Sequence, residues 1–320
     1  MVNPGVEPVA HHTPIPEPLH WQEEVKAGLD QDIGEPVTWY HRMVICAKKN
    51  GKLQHTVDFQ ALNLHATSEM HHTQSPFHRA CSIPSNTKKT VFDCWNGYHN
   101  VLLHADDRHL TTFITPWGRY HYITAPQGYI ASGSGYSRWF SDIVSHIHEK
   151  TKCINDTLLW ADDLHKSFFQ AVDWLDLCGY NGIILNPDKF VFGADTVEFA
   201  GFEITPSIVR PCKKYFDAIH DFPTPATITD VCSWFRLINQ VSYAFAATER
   251  MLLLRQLLQP GTPFKWTDKL NQLFEESKSV IISETEEGVR IFDKSKPTCL
   301  SNDWSKSGIS FWLFQNHCQC

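Results

Sequence analysis

The chain has 320 residues, of which 42% are hydrophobic and 20% charged, and its net charge is −7. This composition excludes a disordered chain, leaves room for two or three subdomains, and argues against a dedicated DNA-binding module, although local basic patches still allow an enzyme of nucleic acids. No run reaches the ~20 apolar residues of a transmembrane helix and no signal peptide is recognisable, which predicts an intracellular protein of the cytoplasm or nucleus without a membrane segment.

The first part of the chain predicts an arm followed by a β-hairpin. Five prolines indicate an extended arm over residues 1–35, which also contains a short helix. Residues 38–46 and 53–59 read as strands around an Asn-Gly turn, the strongest short hairpin signal. Lys48 and Lys49 in this turn could form an ordinary solvated loop or could neutralise a triphosphate.

Asp93 is the first candidate catalytic residue. It ends a β-prone run over residues 90–92 and is followed by a Gly-Tyr bend. A lone Asp at such a place is usually a turn or capping residue.

The next segment predicts strands, a loop and a helix. Residues 106–122 read as strands around a turn at 116–119, and a breaker-rich loop follows at 125–129. The helix after this loop has its apolar face formed by Tyr136, Trp139, Phe140 and Ile143. Such a loop before a helix fits a backbone-lined site for an incoming base or phosphate.

Two acidic pairs lie in the segment 152–163. Asn155-Asp156 stands between two short apolar runs, which predicts a β-hairpin with this pair at its turn. Asp162-Asp163 precedes apolar residues at three- and four-residue spacing, which predicts the capped start of a helix over 163–180. A carboxylate on a tight hairpin suits two-metal phosphoryl transfer, in which cations about 3.5–4 Å apart are held by carboxylates from separate strands. Asp93 would supply the second carboxylate.

The C-terminal half contains both strands and helices. A turn at 185–189 leads into a strand at 190–193, and residues 197–204 are a candidate strand pair. Beyond Pro211 the apolar spacing becomes helical. The predicted helix faces are formed by Tyr215, Ile219 and Phe222, by Val231, Trp234, Phe235 and Ile238, and by Leu270, Leu273, Phe274 and Ser277. Residues 297–314 return to strand, with Asp303 in the middle.

These motifs, in this order, resemble the reverse transcriptase of gypsy-type LTR retroelements. The similar segments are Lys-Lys-Asn-Gly and Val-Asp-Phe-Gln-Ala-Leu-Asn within 48–63, Phe-Asp-x-x-x-Gly-Tyr-His at 92–99, Pro-Gln-Gly-Tyr at 126–129, Leu-Asn-Pro-Asp-Lys at 185–189, Glu-Phe-Ala-Gly-Phe at 198–202, Ile-Val-Arg-Pro at 208–211 and Phe-Pro-Thr-Pro at 222–225. Each segment is weak alone, and their shared order is the specific signal. The resemblance implies an α+β right-hand polymerase with fingers, palm and thumb, a connection segment and a truncated RNase H-like start.

The family's spacing between its Tyr-x-Asp-Asp box and its Asn-Pro turn selects between the two acidic pairs. Asp156 precedes Asn186 by 30 residues, whereas Asp163 precedes it by 23. The longer spacing is similar to that of the family. The box therefore corresponds to Cys-Ile-Asn-Asp at 153–156, and the second pair only looks like it.

The resemblance assigns roles to residues of this sequence. The expected catalytic residues are Asp93, Asn155 and Asp156, of which Asp93 and Asp156 would hold two Mg²⁺ ions. The expected nucleotide-binding residues are Lys48, Lys49, Tyr98, Gln127, Gly128 and Lys189, and the expected primer grip contains Phe199 and Gly201. Tyr98 would exclude a 2′-OH from the sugar pocket. Lys189 would be a proton donor to the leaving group or, equally, a solvated turn lysine. The implied partners are an RNA or DNA template with its primer, and dNTPs.

Two residues depart from the family's pattern. Asn155 offers a neutral amide where the family has a carboxylate, and Mg²⁺ prefers anionic oxygen ligands. Gln54 stands where an Arg usually contacts the triphosphate, and it lacks the bidentate cationic contact. The leading interpretation is an RNA-directed DNA polymerase domain of a retrotransposon Pol polyprotein. The alternative is a polymerase-dead remnant that at most binds primer–template.

Four domains are predicted. They are an arm with a short helix over 1–35, reverse transcriptase fingers and palm over 36–205, a thumb and connection over 206–290, and a truncated RNase H-like start over 291–320. Asp303 matches the first metal-binding Asp of the family's RNase H and cannot make a nuclease alone.

Overall fold

The computed structural model describes residues 7–11, 38–47, 53–67, 73–95, 97–241, 249–305 and 308–317. The chain forms two compact units: the first contains residues 1–73, 92–148 and 172–189, and the second contains residues 74–91, 149–171 and 190–320. The short helix predicted within the arm and the turn that carries Lys48 and Lys49 lie outside the described residues. Within the described ranges, no helix combines the length and the hydropathy needed to cross a membrane.

Fourteen strands and eight α-helices are present in the described residues. The strands are β1 (His41–Ala47), β2 (Leu53–Asp58), β3 (Lys88–Asp93), β4 (Phe113–Thr115), β5 (Gly118–Tyr120), β6 (Lys150–Cys153), β7 (Asp156–Ala161), β8 (Val191–Ala194), β9 (Val197–Phe199), β10 (Phe202–Ile204), β11 (Ile208–Pro211), β12 (Val289–Arg290), β13 (Thr298–Ser305) and β14 (Gly308–Gln315). The helices are α1 (Gln60–Asn63), α2 (Pro76–Cys81), α3 (Ser132–Ile143), α4 (Leu164–Tyr180), α5 (Lys213–His220), α6 (Ile228–Asn239), α7 (Glu249–Gln256) and α8 (Asp268–Glu286).

The sheet of the first unit has the strand order β2-β1-β4-β5. The predicted hairpin β1–β2 is confirmed, with its ladder running from Arg42 opposite Asp58 to Ala47 opposite Leu53. Its core is built from apolar and aromatic side chains of the sheet and α1, namely Trp39, Met43, Val57, Phe59, Leu62, Phe113 and Tyr120. This unit therefore has its own hydrophobic core.

One predicted strand of the first unit is wrong. Residues 105–111 form a 3-10 helix instead of the strand expected from 106 onward, and the strands β4 and β5 begin only after it. The Thr111 hydroxyl donates to the Arg108 carbonyl (2.8 Å) and the Thr112 hydroxyl to the His109 carbonyl (2.8 Å). These local bonds hold the backbone in a turn, although threonine is otherwise a strand-former.

The second unit contains two four-stranded sheets, with orders β6-β7-β3-β8 and β12-β11-β10-β9. The predicted hairpins are confirmed at β6–β7 and at β9–β10, where Phe199 pairs with Phe202. One apolar cluster is formed by residues of both sheets and α2, among them Ala80, Ile83, Val91, Leu158, Phe199, Ile204 and Val209. This cluster anchors the strands that carry several predicted site residues.

The helices α5 to α8 form a second core in this unit. The predicted apolar faces are confirmed, because Ile219, Val231, Trp234 and Phe274 pack together in one buried cluster. Residues 298–305 and 308–315 form two paired antiparallel strands rather than a single strand, and Asp303 is exposed opposite Ser310. The predicted domain limits remain predictions.

Candidate active site

Asp93 lies at the end of β3 and is held by several contacts. Its side chain is only 8% exposed, and Lys189 Nζ lies 3.1 Å from Oδ2. The side-chain amide of Asn186 donates to the same oxygen (3.4 Å), and the backbone N–H of Asn186 donates to the Asp93 carbonyl (2.8 Å). The structure thus brings together two predicted site residues, Asp93 and Lys189, within the first unit.

The sequence explains how Lys189 reaches this place. Asn186 Oδ1 accepts the backbone N–H of Asp188 (3.1 Å), which is an Asx-type turn, and residues Pro187–Lys189 form one turn of 3-10 helix. The backbone N–H of Trp95 also donates to the carbonyl of Ile184 (2.8 Å). The Asn-Pro turn is therefore fixed to the end of β3, and Asn186 holds both parts. In the sequence, Asn186 serves only as a spacing marker, and no local pattern indicates this positioning role.

The hairpin β6–β7 carries Asn155 and Asp156. Cys153 pairs with Asp156 across the two-residue turn Ile154-Asn155, so the turn lies one residue earlier than predicted and Asp156 is the first residue of β7. Both Asn155 and Asp156 are partly exposed. Ile154 has a backbone φ of 54°, a left-handed conformation that is costly for a β-branched residue. Backbone strain of this kind clusters at functional sites.

Two electrostatic features surround this hairpin in the second unit. Burial raises the pKa of the Cys153 thiol, and the neighbouring Asp156 carboxylate acts in the same direction, so the thiol stays protonated at neutral pH. Asp163 caps α4 by accepting the backbone N–H of Lys166 (2.8 Å). The capping role predicted for the second acidic pair is therefore confirmed for Asp163.

The predicted loop of Gln127 and Gly128 is held by Asn63. The Asn63 side chain donates to the Gly128 carbonyl (2.8 Å) and accepts the backbone N–H of Ile130 (2.8 Å). Gly128 has φ 93°, and a Cβ there would lie 3.3 Å from the Val57 carbonyl oxygen, so a side chain fits poorly. Sequence analysis placed Asn63 within a motif and did not assign it this contact.

Tyr98 lies on a 3-10 turn, Gly97–Asn100, directly after β3. Its ring packs against that of Tyr136 on α3 in a T-shaped arrangement, with ring centroids 5.6 Å apart and planes at 76°. Tyr98 is partly exposed, so one side of its ring is free of this packing. That arrangement is compatible with a wall of a small pocket.

The two predicted primer-grip residues differ in exposure. Phe199 is 2% exposed and belongs to the apolar core of the second unit, so its side chain stabilises the sheet. Gly201 is exposed in the β9–β10 turn, where Ala200 and Gly201 both have positive φ, as in a type I′ turn. The exposed part of this motif is therefore the turn backbone.

Two of the predicted nucleotide contacts, and one residue that departs from the family's pattern, cannot be placed from side chains. Lys48 and Lys49 lie outside the described residues, and of Gln54 only the backbone, within β2, is described. Within the described part of the chain, no group of three or more His, Cys, Asp or Glu side chains is arranged to hold a metal ion.

The chain is similar in sequence to a known protein family and to several curated proteins. Residues 40–204 match the family "Reverse transcriptase (RNA-dependent DNA polymerase)". The enzymatic polyprotein of cauliflower mosaic virus (strain D/H) is 25% identical over 226 residues, which are 69% of this chain and 33% of the relative. The Pol polyprotein of Drosophila melanogaster transposon 412 is 26% identical over 243 residues, 71% of this chain and 18% of the relative, and that of transposon gypsy is 22% identical over 242 residues, 71% and 23%. The chain thus matches about a third or less of the length of these relatives.

Solved structures show the same fold. A foamy viral protease–reverse transcriptase (dRH) in complex with double-stranded DNA superposes with a TM-score of 0.82 at 17% identity, covering 98% of this chain and 56% of that one. A foamy viral protease–reverse transcriptase in complex with an RNA/DNA hybrid gives a TM-score of 0.79 at 17% identity, covering 98% and 45%. The fold is that of a right-hand polymerase, as predicted. Because the family match spans just over half of the 320 residues, the chain belongs to the reverse transcriptase (RNA-dependent DNA polymerase) family.

Proposed function

We propose that this chain is the RNA-directed DNA polymerase domain of a gypsy-type retroelement Pol polyprotein. The observation that carries the proposal is the buried carboxylate of Asp93, which is fixed to the Asn-Pro turn through Asn186 and Lys189. In support, Asn155 and Asp156 lie at the turn of the β6–β7 hairpin, where Asp156 is the first residue of β7. The proposed substrates are dNTPs and an RNA or DNA template with its primer, in the cytoplasm or nucleus.

Reverse transcriptases use divalent metal ions, and Asp93 and Asp156 offer carboxylate oxygens, the type of donor that such an ion binds. The Asp93 carboxylate already attracts an ammonium group, and carboxylate oxygens are the ligands that Mg²⁺ prefers. We assign Asp93 and Asp156 as ligands of two Mg²⁺ ions, with the Asn155 amide in the place of a third. When bound, such ions activate the primer 3′-OH and stabilise charge on the transferred phosphate.

The remaining roles belong to the protein's own side chains and backbone. Tyr98 walls the sugar pocket, and Gln127 and Gly128 position the incoming nucleotide and the template. Lys189 lies at Asp93, where it can donate a proton to the leaving group. The exposed turn at Gly201 contacts the primer.

Further assignments complete this proposal. Lys48 or Lys49 contacts the triphosphate. The proposed domains are fingers and palm over 36–205, a thumb and connection over 206–290, and an RNase H-like start over 291–320, after an arm over 1–35.

A second candidate function is a polymerase-dead protein that binds primer–template. One observation favours it: the hairpin turn carries the neutral Asn155 next to Asp156, so the proposed site has one anionic ligand fewer than the family's. Weaker retention of the metal would cost several kcal/mol of transition-state stabilisation, on the order of 10³-fold in rate.

Primer extension on an RNA template tests both functions. The unchanged chain, Asn155→Asp and Asp93→Asn are compared with Mg²⁺ and with Mn²⁺. Extension by the unchanged chain that Asp93→Asn abolishes supports the polymerase. Extension only by Asn155→Asp supports the second function with an otherwise intact site. If none of the three proteins extends the primer although all of them bind primer–template, the polymerase assignment is contradicted.

A further inference from the structure

Tyr98 is supported from one side by the first two turns of α3. Its ring packs against that of Tyr136 in a T-shaped arrangement, with centroids 5.6 Å apart. Its hydroxyl lies 3.9 Å from the point where a Cβ would stand on Gly133. Gly133 and Tyr136 are three residues apart on one helix face, so they present one continuous surface to Tyr98.

This surface is rigid because Tyr136 cannot move. Tyr136 is 0% exposed and stacks on Phe140, with ring centroids 5.6 Å apart and planes at 28°. Phe140 is itself 0% exposed and packs against Trp174 at 5.8 Å. Side chains in such a close-packed cluster cannot shift without displacing their neighbours.

The backbone next to Tyr98 rests on the same ring. A Cβ on Gly97 would lie 2.7 Å from Cζ and 2.8 Å from the hydroxyl oxygen of Tyr136, closer than any real side chain allows. The Asn100 side chain donates to the Gly97 carbonyl (3.2 Å), which closes the 3-10 turn around this point. Tyr136 therefore fixes both the backbone before Tyr98 and its ring.

We infer that Gly133 and Tyr136 are specificity-determining positions, because they set how far the Tyr98 ring extends toward the sugar of the incoming nucleotide. This inference rests on the proposed function, in which Tyr98 walls the sugar pocket. Ribose differs from deoxyribose by a single 2′-hydroxyl, so a small displacement of the wall changes the discrimination. The absence of a side chain at 133 leaves room beside the Tyr98 hydroxyl, and the ring at 136 stops it from moving into the helix.

Substitutions at the two positions have opposite effects. Tyr136→Leu removes the aromatic ring against which Tyr98 packs, so Tyr98 moves toward the helix, the pocket widens, and the preference for dCTP over CTP falls about 10-fold. Gly133→Leu fills the space beside the Tyr98 hydroxyl and moves the ring outward, so the affinity for dCTP falls about 10-fold. Gly135→Leu is the matched control, because it lies in the same helix and its Cβ would meet nothing within 4 Å. Tyr136→Phe keeps the ring and should behave like the parent.

The experiment measures equilibrium binding of dCTP and CTP, which differ only by the 2′-hydroxyl, to the complex of each protein with a 3′-dideoxy-terminated primer on an RNA template. Ca²⁺ replaces Mg²⁺, so no catalysis is needed, and circular dichroism and thermal unfolding show whether each variant is folded. If folded Gly133→Leu and Tyr136→Leu have the same deoxynucleotide affinity and the same preference for deoxyribose over ribose as the parent, the inference is wrong. The proposed function is unaffected by that result. If Tyr136→Leu does not fold, the inference is tested by comparing the nucleotide affinities of Gly133→Leu and Gly135→Leu. Absence of nucleotide binding by the parent overturns the proposed function and the inference with it.

Discussion

The ammonium group of Lys189 lies 3.1 Å from Oδ2 of Asp93, the residue to which the proposed function assigns a divalent cation. We therefore predict that Lys189→Met lowers the free energy of unfolding in the absence of metal and raises the affinity for a divalent cation. The substitution keeps most of the length and the apolar stem of the side chain and removes only the charge. It leaves Asp93 with the amide of Asn186 at 3.4 Å as its remaining described side-chain donor.

The magnitude follows from the geometry. At the 3.1 Å separation of Lys189 Nζ and Asp93 Oδ2, Coulomb's law with an effective dielectric constant of about 20 gives roughly 5 kcal/mol before any solvation cost. The Lys189 side chain is 61% exposed, so water screens much of this attraction, whereas Asp93 is 8% exposed and gains little hydration when the ammonium leaves. A net loss of about 1–2 kcal/mol is expected, between the values for exposed pairs and for buried charged hydrogen bonds. The same difference corresponds to roughly 10-fold tighter cation binding.

Mn²⁺ binding followed by electron paramagnetic resonance measures the affinity, and urea unfolding with and without Mn²⁺ measures the stability. Lys265→Met is the control, since Lys265 is exposed and has no ion pair among the described residues. Saturating Mn²⁺ should restore the stability that Lys189→Met loses, because a ligand that binds only the folded state stabilises it. An unchanged Mn²⁺ affinity in Lys189→Met would refute the idea that the ammonium competes for this carboxylate.

Three further predictions concern the stability of each unit. Burial lowers the pKa of His41 below 6.5, so the unfolded chain binds a proton more readily than the folded protein does. The free energy of unfolding should therefore fall as the pH drops below about 6.5. His41→Gln should remove this pH dependence of the free energy of unfolding, measured by urea titrations at pH 5 to 7.5. Asn63→Ala removes both bonds that hold the loop of Gly128 and should cost about 1–3 kcal/mol in thermal unfolding and weaken nucleotide binding, whereas equal binding would contradict the positioning role. Gly288 has φ 73°, and a Cβ there would lie 2.7 Å from the Val209 carbonyl oxygen. Gly288→Ala should therefore lower the free energy of unfolding by about 2–4 kcal/mol. A loss below about 1 kcal/mol would contradict this backbone conformation at Gly288.

Local patterns in the sequence were sufficient for the helices and hairpins. The face of Tyr136, Phe140 and Ile143 has the spacing of a helix, and α3 covers all three residues. The same is true of the hairpins at β6–β7 and β9–β10, where short apolar runs flank turn residues. The 3-10 helix at 105–111 was missed because threonine hydroxyls bond to nearby carbonyls, and this choice between strand and turn is not visible in the residue types alone.

Contacts between distant parts of the chain were harder to predict. The motif order placed Asp93 and Lys189 in one site, yet nothing local shows that Asn186 donates to Asp93 through both its backbone and its side chain. Phe199 was assigned to the primer grip with its motif, but its alternation with Val197 points both side chains into the core. Motif matching identifies which segments meet, whereas burial decides which of their residues can touch a ligand.

The turn of the β6–β7 hairpin offers a direct test of whether strain is kept at the proposed site. Only Ile154 of the two turn residues has a positive φ, which is the sign pattern of a type II′ turn, where Gly is favoured at this position. A left-handed backbone costs a residue with a Cβ about 1–2 kcal/mol, more than the roughly 0.5–1 kcal/mol of chain entropy that Gly loses on folding. Ile154→Gly should therefore be more stable than Ile154→Ala in urea unfolding, by about 0.5–1 kcal/mol. Glu198 is an exposed strand residue without a positive φ. The order of stabilities should reverse there, so Glu198→Ala should be more stable than Glu198→Gly. If Ala were the more stable at both positions, the left-handed turn would not be the conformation in solution, and the hairpin would present Asn155 and Asp156 differently from the arrangement proposed for the metal ligands.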